Sequence, residues 1–361
     1  MRCSKLSLAV FLAISSGAAA ALSAAETGTE SFLPAQPQTT PQVSVRAEAM
    51  KAGEYLATGE YGKAEASLRS ALRSATDEDD IRTLRNVLAD LLREEGRFTE
   101  SRPMYNSVLH SPGVTPRQKF DALAGIADLD GLAHNPELAS SDWRQAIAVA
   151  REMKNNALEA DATRGLGMSW LDASNPTRAE PLLRRALGMM ENDPAVKPWQ
   201  LASATACLGR CYRMENKLAL AEDAFTRSLD FHKKSFGEVH PQVAYVMERL
   251  AEVHALRGEF ALARDYSVRA IAVMRTSCGE ASGAFVAALV NRGTVEQLAG
   301  ALDAAAENYA AALKILGSNP DLRAQSTPLA SQVAERYAVV LKAAHRDREA
   351  KAASALAKSF R

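Results

Sequence analysis

Hydrophobic positions between residues 243 and 258 recur with the spacing of an α-helix. The apolar-face residues are Val243, Val246, Met247, Leu250, Ala251 and His254, at i, i+3, i+4, i+7, i+8 and i+11. This spacing places them on one face of a helix. Gly258 follows, and glycine is the usual left-handed residue that ends a helix. The pattern therefore predicts a helix, a turn at Gly258 and a second helix carrying Phe260, Ala263 and Ala270.

The same helix-turn-helix unit recurs along the chain. Its clearest copy has Leu208, Gly209 and Tyr212 in the first helix and Ala221 and Phe225 in the second. The turn positions are Gly59, Gly96, His134, Ser174, Asn216, Gly258, Gly300 and His345, spaced 37 to 45 residues apart. A near-constant period of this length indicates stacked supersecondary units, so we predict an all-α solenoid.

Small residues recur at two further positions of the unit. Ala52, Ala89, Ala127, Gly167, Gly209, Ala251, Gly293 and Ala338 hold the first-helix position, and Ala64, Ser101, Ala139, Ala179, Ala221, Ala263, Ala305 and Ala350 hold the second-helix position. Small side chains allow two helix axes to approach closely. A larger residue at Gly209 is therefore expected to destabilise the protein, whereas the same change at Glu215, near a turn and expected to be exposed, should cost little.

The repeat resembles the tetratricopeptide repeat family over roughly residues 46–361. The 42-residue copies look most like the longer subtype of kinesin light chains, whose junctions are similar to Phe236-Gly237-Glu238-Val239-His240-Pro241. The resemblance implies a right-handed α-solenoid of about eight repeats that binds a protein or peptide in a concave groove. The last copy, from about 328, is rich in Lys and Ala and suits a terminal cap with one solvated face.

The resemblance also indicates which first-helix side chains would line the groove. These are Arg164, Met168, Arg210, Arg213, Met214, Tyr245 and Glu248. Arginines and methionines suit an extended segment with acidic and apolar groups, although an ordinary solvated helix surface is the competing interpretation. Some relatives grip a C-terminal carboxylate with an Asn, and that Asn is missing here. Its positions hold Gly53, Asp90, Asp128, Met168, Arg210, Glu252, Thr294 and Val339, so binding of an internal segment is favoured.

The first 25 residues form a separate segment. Arg2 and Lys5 precede an apolar run from Leu6 to Ile14 and a small-residue stretch ending at Ala25. This is the layout of a cleaved secretory signal peptide, so we expect a periplasmic or secreted protein. Residues 26–45 contain Pro34, Pro37 and Pro41 among Thr and Gln, which predicts a flexible linker before the repeats. The apolar run is too short to span a bilayer comfortably, and no later stretch approaches the required length, so no transmembrane segment is expected after cleavage.

Composition excludes some partners and favours helices. Aromatic residues make up 6% of the chain, and 43 basic residues balance 43 acidic ones without long runs of one sign. Strand-like alternation is scarce and alanine is abundant, which favours closely packed helices. The charge pattern lacks the basic footprint of a nucleic-acid-binding protein.

The candidate chemistry is sparse. Cys207 and Cys211 lie four residues apart on one helix, without a second pair that would complete a zinc site, so buried packing is favoured over metal or redox use. His254 is interpreted as a core histidine, and His240, beside Pro241, as a helix cap or a solvated residue. No nucleophile, phosphate-binding or metalloprotease motif is present. We therefore predict no catalytic residue, metal or cofactor.

Three functions remain open at this point. An exported, non-catalytic scaffold that mediates protein–protein interaction through its groove is the preferred one. A structural spacer in an envelope complex is poorly separated from it by the sequence. An enzyme subunit with unrecognised acid–base residues is disfavoured because no catalytic constellation is visible.

Overall fold

The computed structural model of the protein describes residues 41–58, 60–325 and 327–360. These residues form α-helices and loops, with no β-strand in the described ranges. The helices are α1 (Pro41–Thr58), α2 (Tyr61–Ser74), α3 (Glu78–Glu94), α4 (Phe98–Leu109), α5 (Pro116–Leu132), α6 (Pro136–Glu152), α7 (Asn156–Asp172), α8 (Pro176–Glu191), α9 (Pro198–Met214), α10 (Leu218–Phe236), α11 (Pro241–Leu256), α12 (Phe260–Cys278), α13 (Gly283–Leu298), α14 (Leu302–Ser318), α15 (Pro320–Gln325), α16 (Thr327–Ala343) and α17 (Asp347–Ser359).

Apart from the short α15, the described helices form eight helix-turn-helix pairs, α1/α2 through α13/α14 and then α16/α17. The predicted all-α repeat solenoid is confirmed. The signal peptide predicted over residues 1–25 and the turn residue Gly59 lie outside the described residues. The linker predicted over 26–45 lies outside them up to residue 40, and α1 already begins at Pro41.

The predicted turn positions adopt the left-handed backbone that the repeat requires. Gly96, Gly258 and Gly300 have φ between 74° and 78°. His134, Ser174, Asn216 and His345 have φ between 55° and 59°, although left-handed backbone is unfavourable for residues with a Cβ. Lys154, between α6 and α7, has φ 54° as well, so this junction between repeats is a tight turn that the sequence pattern did not indicate.

The two small-residue positions are buried in every repeat. At Gly209, a Cβ would lie 2.8 Å from Cδ1 of Phe225 on the facing helix, and at Gly293 it would lie 2.8 Å from Cε1 of Tyr309. Each glycine therefore makes room for an aromatic ring of its partner helix. The packing role predicted for these positions is confirmed.

Two glutamates have largely buried side chains. Glu215 is not exposed as predicted: its side chain is largely buried at the end of α9, and its Oε2 lies 2.9 Å from Lys217 Nζ. Glu296, on α13, is also buried. Its carboxylate pairs with Arg292 at 2.7 Å and with Arg264 at 2.9 Å, so the charge that the sequence places in the packing layer has partners.

The described helices divide into two compact units. The first unit ends at Ala195 and contains α1–α8, and the second begins at Val196 and contains α9–α17. First helices of successive pairs touch one another at three places within the units: α3 touches α5, α5 touches α7 and α11 touches α13. The faces of the first helices therefore lie on the inner side of each stack, where a solenoid presents its binding surface.

Candidate binding faces on the first helices

The inner face of the second unit carries a cluster of two arginines and one shared glutamate. Arg213 comes from the end of α9, whereas Arg249 and Glu252 lie one turn apart on α11. Glu252 Oε1 lies 3.0 Å from Arg213 Nη1, and its Oε2 accepts a hydrogen bond of 3.0 Å from Arg249 Nη1. One carboxylate thus serves two guanidinium groups, which leaves the cluster with an excess positive charge. We call Arg213, Glu252 and Arg249 the arginine–glutamate cluster.

The other predicted groove residues of this unit lie beside the cluster. Arg210 and Met214, on α9, are both partly exposed. The Tyr245 ring packs against the Arg249 guanidinium, whose carbon lies 5.3 Å from the ring centroid. These positions agree with a first-helix face that is accessible to a partner.

Glu248 differs from the other predicted groove residues because its side chain is almost fully buried. It accepts a hydrogen bond from the Asn291 side chain of α13, and its second oxygen has no hydrogen-bond partner. Burial raises the pKa of Glu248 to about 7, against the opposing effect of Arg249 and the hydrogen bond from Asn291. Glu248 is therefore a buried cross-helix link and does not offer a surface to a partner.

The inner face of the first unit is richer in carboxylates. Arg93 Nη1 lies 3.1 Å from Asp128 Oδ2, while its Nη2 lies 3.5 Å from Asp90 and 3.1 Å from Glu94. Burial raises the pKa of Asp90 and Asp128, and raises that of Glu94 to about 7, because the surrounding helices displace water from this face. One arginine shared by three carboxylates gives this face the opposite charge balance.

Two predicted groove residues belong to the first unit. Arg164 and Met168, on α7, are both partly buried. Arg164 Nη2 lies 3.6 Å from Asp161 Oδ1, so it is held by a neighbouring carboxylate on its own helix. The seven predicted residues are thus divided between the two units, with five of them on α9 and α11.

Several inner-face residues were not among the predicted groove residues. Arg93 and Arg249 were not named from the sequence, whereas Asp90, Asp128 and Glu252 were named only as occupants of the position where some relatives carry the gripping Asn. Asp90 and Arg93 are opposite charges three residues apart, and so are Arg249 and Glu252. Ion pairs within one helix are expected at this spacing, so these two pairs could be predicted from the sequence. The contacts between helices were not visible, because they depend on the packing of successive repeats.

No group of three or more His, Cys, Asp or Glu residues in the described ranges is arranged to hold a metal ion. Cys207, Cys211 and Cys278 form no disulfide. His254 is buried and its Nδ1 lies 2.7 Å from Glu259, while His240 caps α11 by accepting from the Gln242 backbone N–H. Both histidines have the structural roles expected for them. None of the helices described here is sufficiently long and apolar to cross a membrane.

Comparison with known sequences identifies the family. Two sequence models described as tetratricopeptide repeat match the chain, one over residues 200–276 and the other over residues 50–113 and 133–196. Together they cover more than half of the chain. The chain belongs to the tetratricopeptide repeat family, which makes it a protein-interaction scaffold. No curated protein matches the full sequence.

Solved structures share this fold at low sequence identity. BtubC (BKLC) from P. vanneervenii is 20% identical, with a TM-score of 0.54 over 62% of this chain and 90% of that one. A signal transduction ATPase with a tetratricopeptide repeat sensor, from Pyrococcus horikoshii, is 14% identical, with a TM-score of 0.62 over 90% of this chain and 53% of that one. Aspartyl phosphate phosphatase F from Bacillus subtilis is 10% identical, with a TM-score of 0.59 over 92% of this chain and 96% of that one. At these identities the likeness extends to the fold alone.

Proposed function

We propose that this protein is an exported, non-catalytic scaffold that binds an extended protein segment along the inner face of its first helices. The observation that carries the proposal is the contrast between two sets of first-helix positions in the second unit. The packing positions, such as Gly209 and Ala251, are buried, whereas Arg210, Arg213 and Glu252 remain partly exposed on the inner side. Polar side chains that stay accessible on the inner side of a repeat stack form the surface on which such proteins bind partners.

Export rests on the N-terminal segment. Its short basic start, its apolar run and the small residues before Ala25 support a signal peptide, and a periplasmic or secreted location would follow. The absence of a recognisable nucleophile or metal constellation favours a binding role over a catalytic one. The phosphatase name of one structural neighbour describes that protein, and a likeness in fold does not carry an activity to this chain.

The proposal is tested by affinity capture from an envelope extract with the mature protein as bait. The wild type is expected to retain at least one specific partner, and the double variant Arg210→Glu, Arg213→Glu is expected to lose it, because both charges on the inner face are reversed. A matched control reverses two exposed charges on the second helix α12, Arg269→Glu with Arg275→Glu, and should leave capture unchanged.

Circular dichroism must show the same helicity for all three proteins. Equal capture by the folded inner-face variant and the wild type would contradict binding along this face.

A further inference from the structure

In the described part of the chain, at least five glutamates each pair with two arginines. Glu65 and Glu100, on the second helices α2 and α4, both pair with Arg69 and Arg97, and the other three glutamates lie on first helices. Glu159 is shared by Arg151 and Arg185, Glu296 by Arg264 and Arg292, and Glu252 by Arg213 and Arg249. In the first two, the glutamate side chain is 11% and 3% exposed. In the third, the glutamate is 26% exposed and its two arginines are 27% and 21% exposed. All three members of the arginine–glutamate cluster are therefore partly exposed, and Glu252 is the most exposed of these three first-helix glutamates.

Glu252 engages only one terminal nitrogen of each arginine. The Nε atoms of Arg213 and Arg249 are buried and have no hydrogen-bond partner. Each guanidinium gives Glu252 a single contact through Nη1, although a guanidinium can bind a carboxylate through two parallel hydrogen bonds. Both arginines are therefore incompletely satisfied by the one carboxylate between them.

The surroundings hold this arrangement in place. The Tyr245 ring lies against the Arg249 guanidinium and limits its rotation. Arg210 lies one turn before Arg213 on the same face of α9. A further carboxyl group, that of Glu248, has its Oε2 3.8 Å from Arg249 Nη2, and this group is directed into the contact with α13.

We propose that the arginine–glutamate cluster is a binding site for an acidic side chain of a partner segment, and that Glu252 occupies the position of the partner's carboxylate until the partner binds. The site takes an Asp or Glu side chain from within an extended segment. Binding exchanges one carboxylate for another between the same two guanidinium groups, and Glu252 then turns toward solvent. This inference rests on the proposed function and specifies the chemistry of the segment that it binds.

If this exchange occurs, removing the negative charge of Glu252 should strengthen binding of an acidic segment. The probe is a fluorescent twelve-residue peptide of alternating Glu, Leu and Ser, blocked at both ends so that it has no terminal carboxylate. A matched peptide has Gln in place of each Glu. The full mature protein is titrated with both peptides at low salt by fluorescence anisotropy.

The wild type is expected to bind the acidic peptide at least tenfold more tightly than the Gln peptide. Glu252→Gln should bind the acidic peptide several-fold more tightly than the wild type, because both guanidinium groups lose their internal competitor. Arg213→Gln with Arg249→Gln should weaken binding at least tenfold. Glu296→Gln serves as the control, because it removes a buried carboxylate that Arg264 and Arg292 share. Measured below the melting temperature of this variant, the affinity for the acidic peptide should be unchanged.

Two results would overturn the inference. One is equal affinity of the wild type for the acidic and Gln peptides. The other is an affinity of Glu252→Gln equal to or below that of the wild type while the helicity of the variant is intact. The envelope-extract experiment separates this failure from that of the proposed function. If a partner is captured equally well by the wild type and by the Arg213→Gln, Arg249→Gln variant, the protein still acts as a scaffold. The cluster is then not part of its binding site.

Discussion

At the scale of single residues, small side chains determine how closely the paired helices pack. Gly209 faces the buried ring of Phe225, and no side-chain carbon could be added there without moving the ring. Gly317, near the end of α14, has no atom within 4 Å of the place where its Cβ would lie. The two glycines belong to helices of the same unit, and only at Gly209 would an added Cβ meet a neighbouring side chain, so Gly317 serves as the comparison.

Gly209→Ala is expected to destabilise the second unit by about 1–3 kcal/mol, because the added methyl group overpacks the contact with Phe225. Gly317→Ala should instead be neutral or stabilising by up to roughly 1 kcal/mol, because alanine favours a helix and nothing obstructs it. Denaturant unfolding of the two variants and the wild type measures both effects. Equal stabilities for the two variants would mean that Gly209 does not lie against Phe225.

At the scale of helices, buried polar contacts tie one repeat to the next. Glu248 of α11 accepts a hydrogen bond from Asn291 of α13, the first helix of the following repeat. In the first unit, the Asn86 side chain of α3 likewise donates a hydrogen bond of 3.0 Å to the backbone oxygen of Gln118 on α5. Such contacts fix the register of neighbouring repeats, but a carboxyl group among them makes the free energy of unfolding depend on pH.

The raised pKa of Glu248 determines the sign of this dependence. The folded protein releases the Glu248 proton at about pH 7, whereas the unfolded chain releases it near its ordinary pKa of 4.5. The stabilising contribution of the protonated group is therefore fully present below pH 4.5 and is lost as the pH rises through 7. Glu248→Gln keeps a neutral hydrogen-bonding group at this position and removes the pH dependence.

The variant Glu248→Gln is expected to match the wild type near pH 4.5 and to exceed its stability by on the order of 2 kcal/mol at pH 8. Denaturant unfolding at several pH values measures the difference. Glu238→Gln, at an exposed position beside Lys233, serves as the control and should change stability by no more than about 1 kcal/mol at either pH. A constant difference between Glu248→Gln and the wild type across this range would show that Glu248 ionises normally.

At the scale of the whole molecule, repeats allow a long chain to fold without a single central core. Each described unit contains four helix pairs, and each pair is buried mainly against its neighbours. The last pair, α16/α17, buries alanines such as Ala350 and Ala353 and exposes Lys351 and Lys358, which suits the end of a stack. A stack of this kind provides surfaces for partners, and its cellular location determines which partners it can meet.

Export is tested by sequencing the N-terminus of natively expressed protein. The expected mature protein begins near Ala25 or Glu26 and is found outside the cytoplasm, because a signal peptidase cleaves after small residues such as Ala24 and Ala25. An intact Met1 on protein recovered from a membrane fraction would contradict cleavage and export together.

The sequence by itself determined the repeat, its turn positions and its packing positions. Asn216 and Ser174 could be assigned to left-handed turns without glycine, because the period places them in line with Gly258 and Gly300. The role of Gly209 followed from the same alignment of repeats, since a position that is always small must lie where helices approach. These features depend on local geometry and on a period that is repeated many times, so they are visible in the chain alone.

Only the tertiary structure decided which inner-face side chains face a partner and which are buried. Glu248 and Glu252 lie four residues apart on α11, yet the first is buried against Asn291 and the second lies open between Arg213 and Arg249. Residues four apart share a helix face, so the sequence pattern could not separate them. Their difference arises from side chains that neighbouring repeats contribute about 40 residues away, and a single helix contains no information about those contacts.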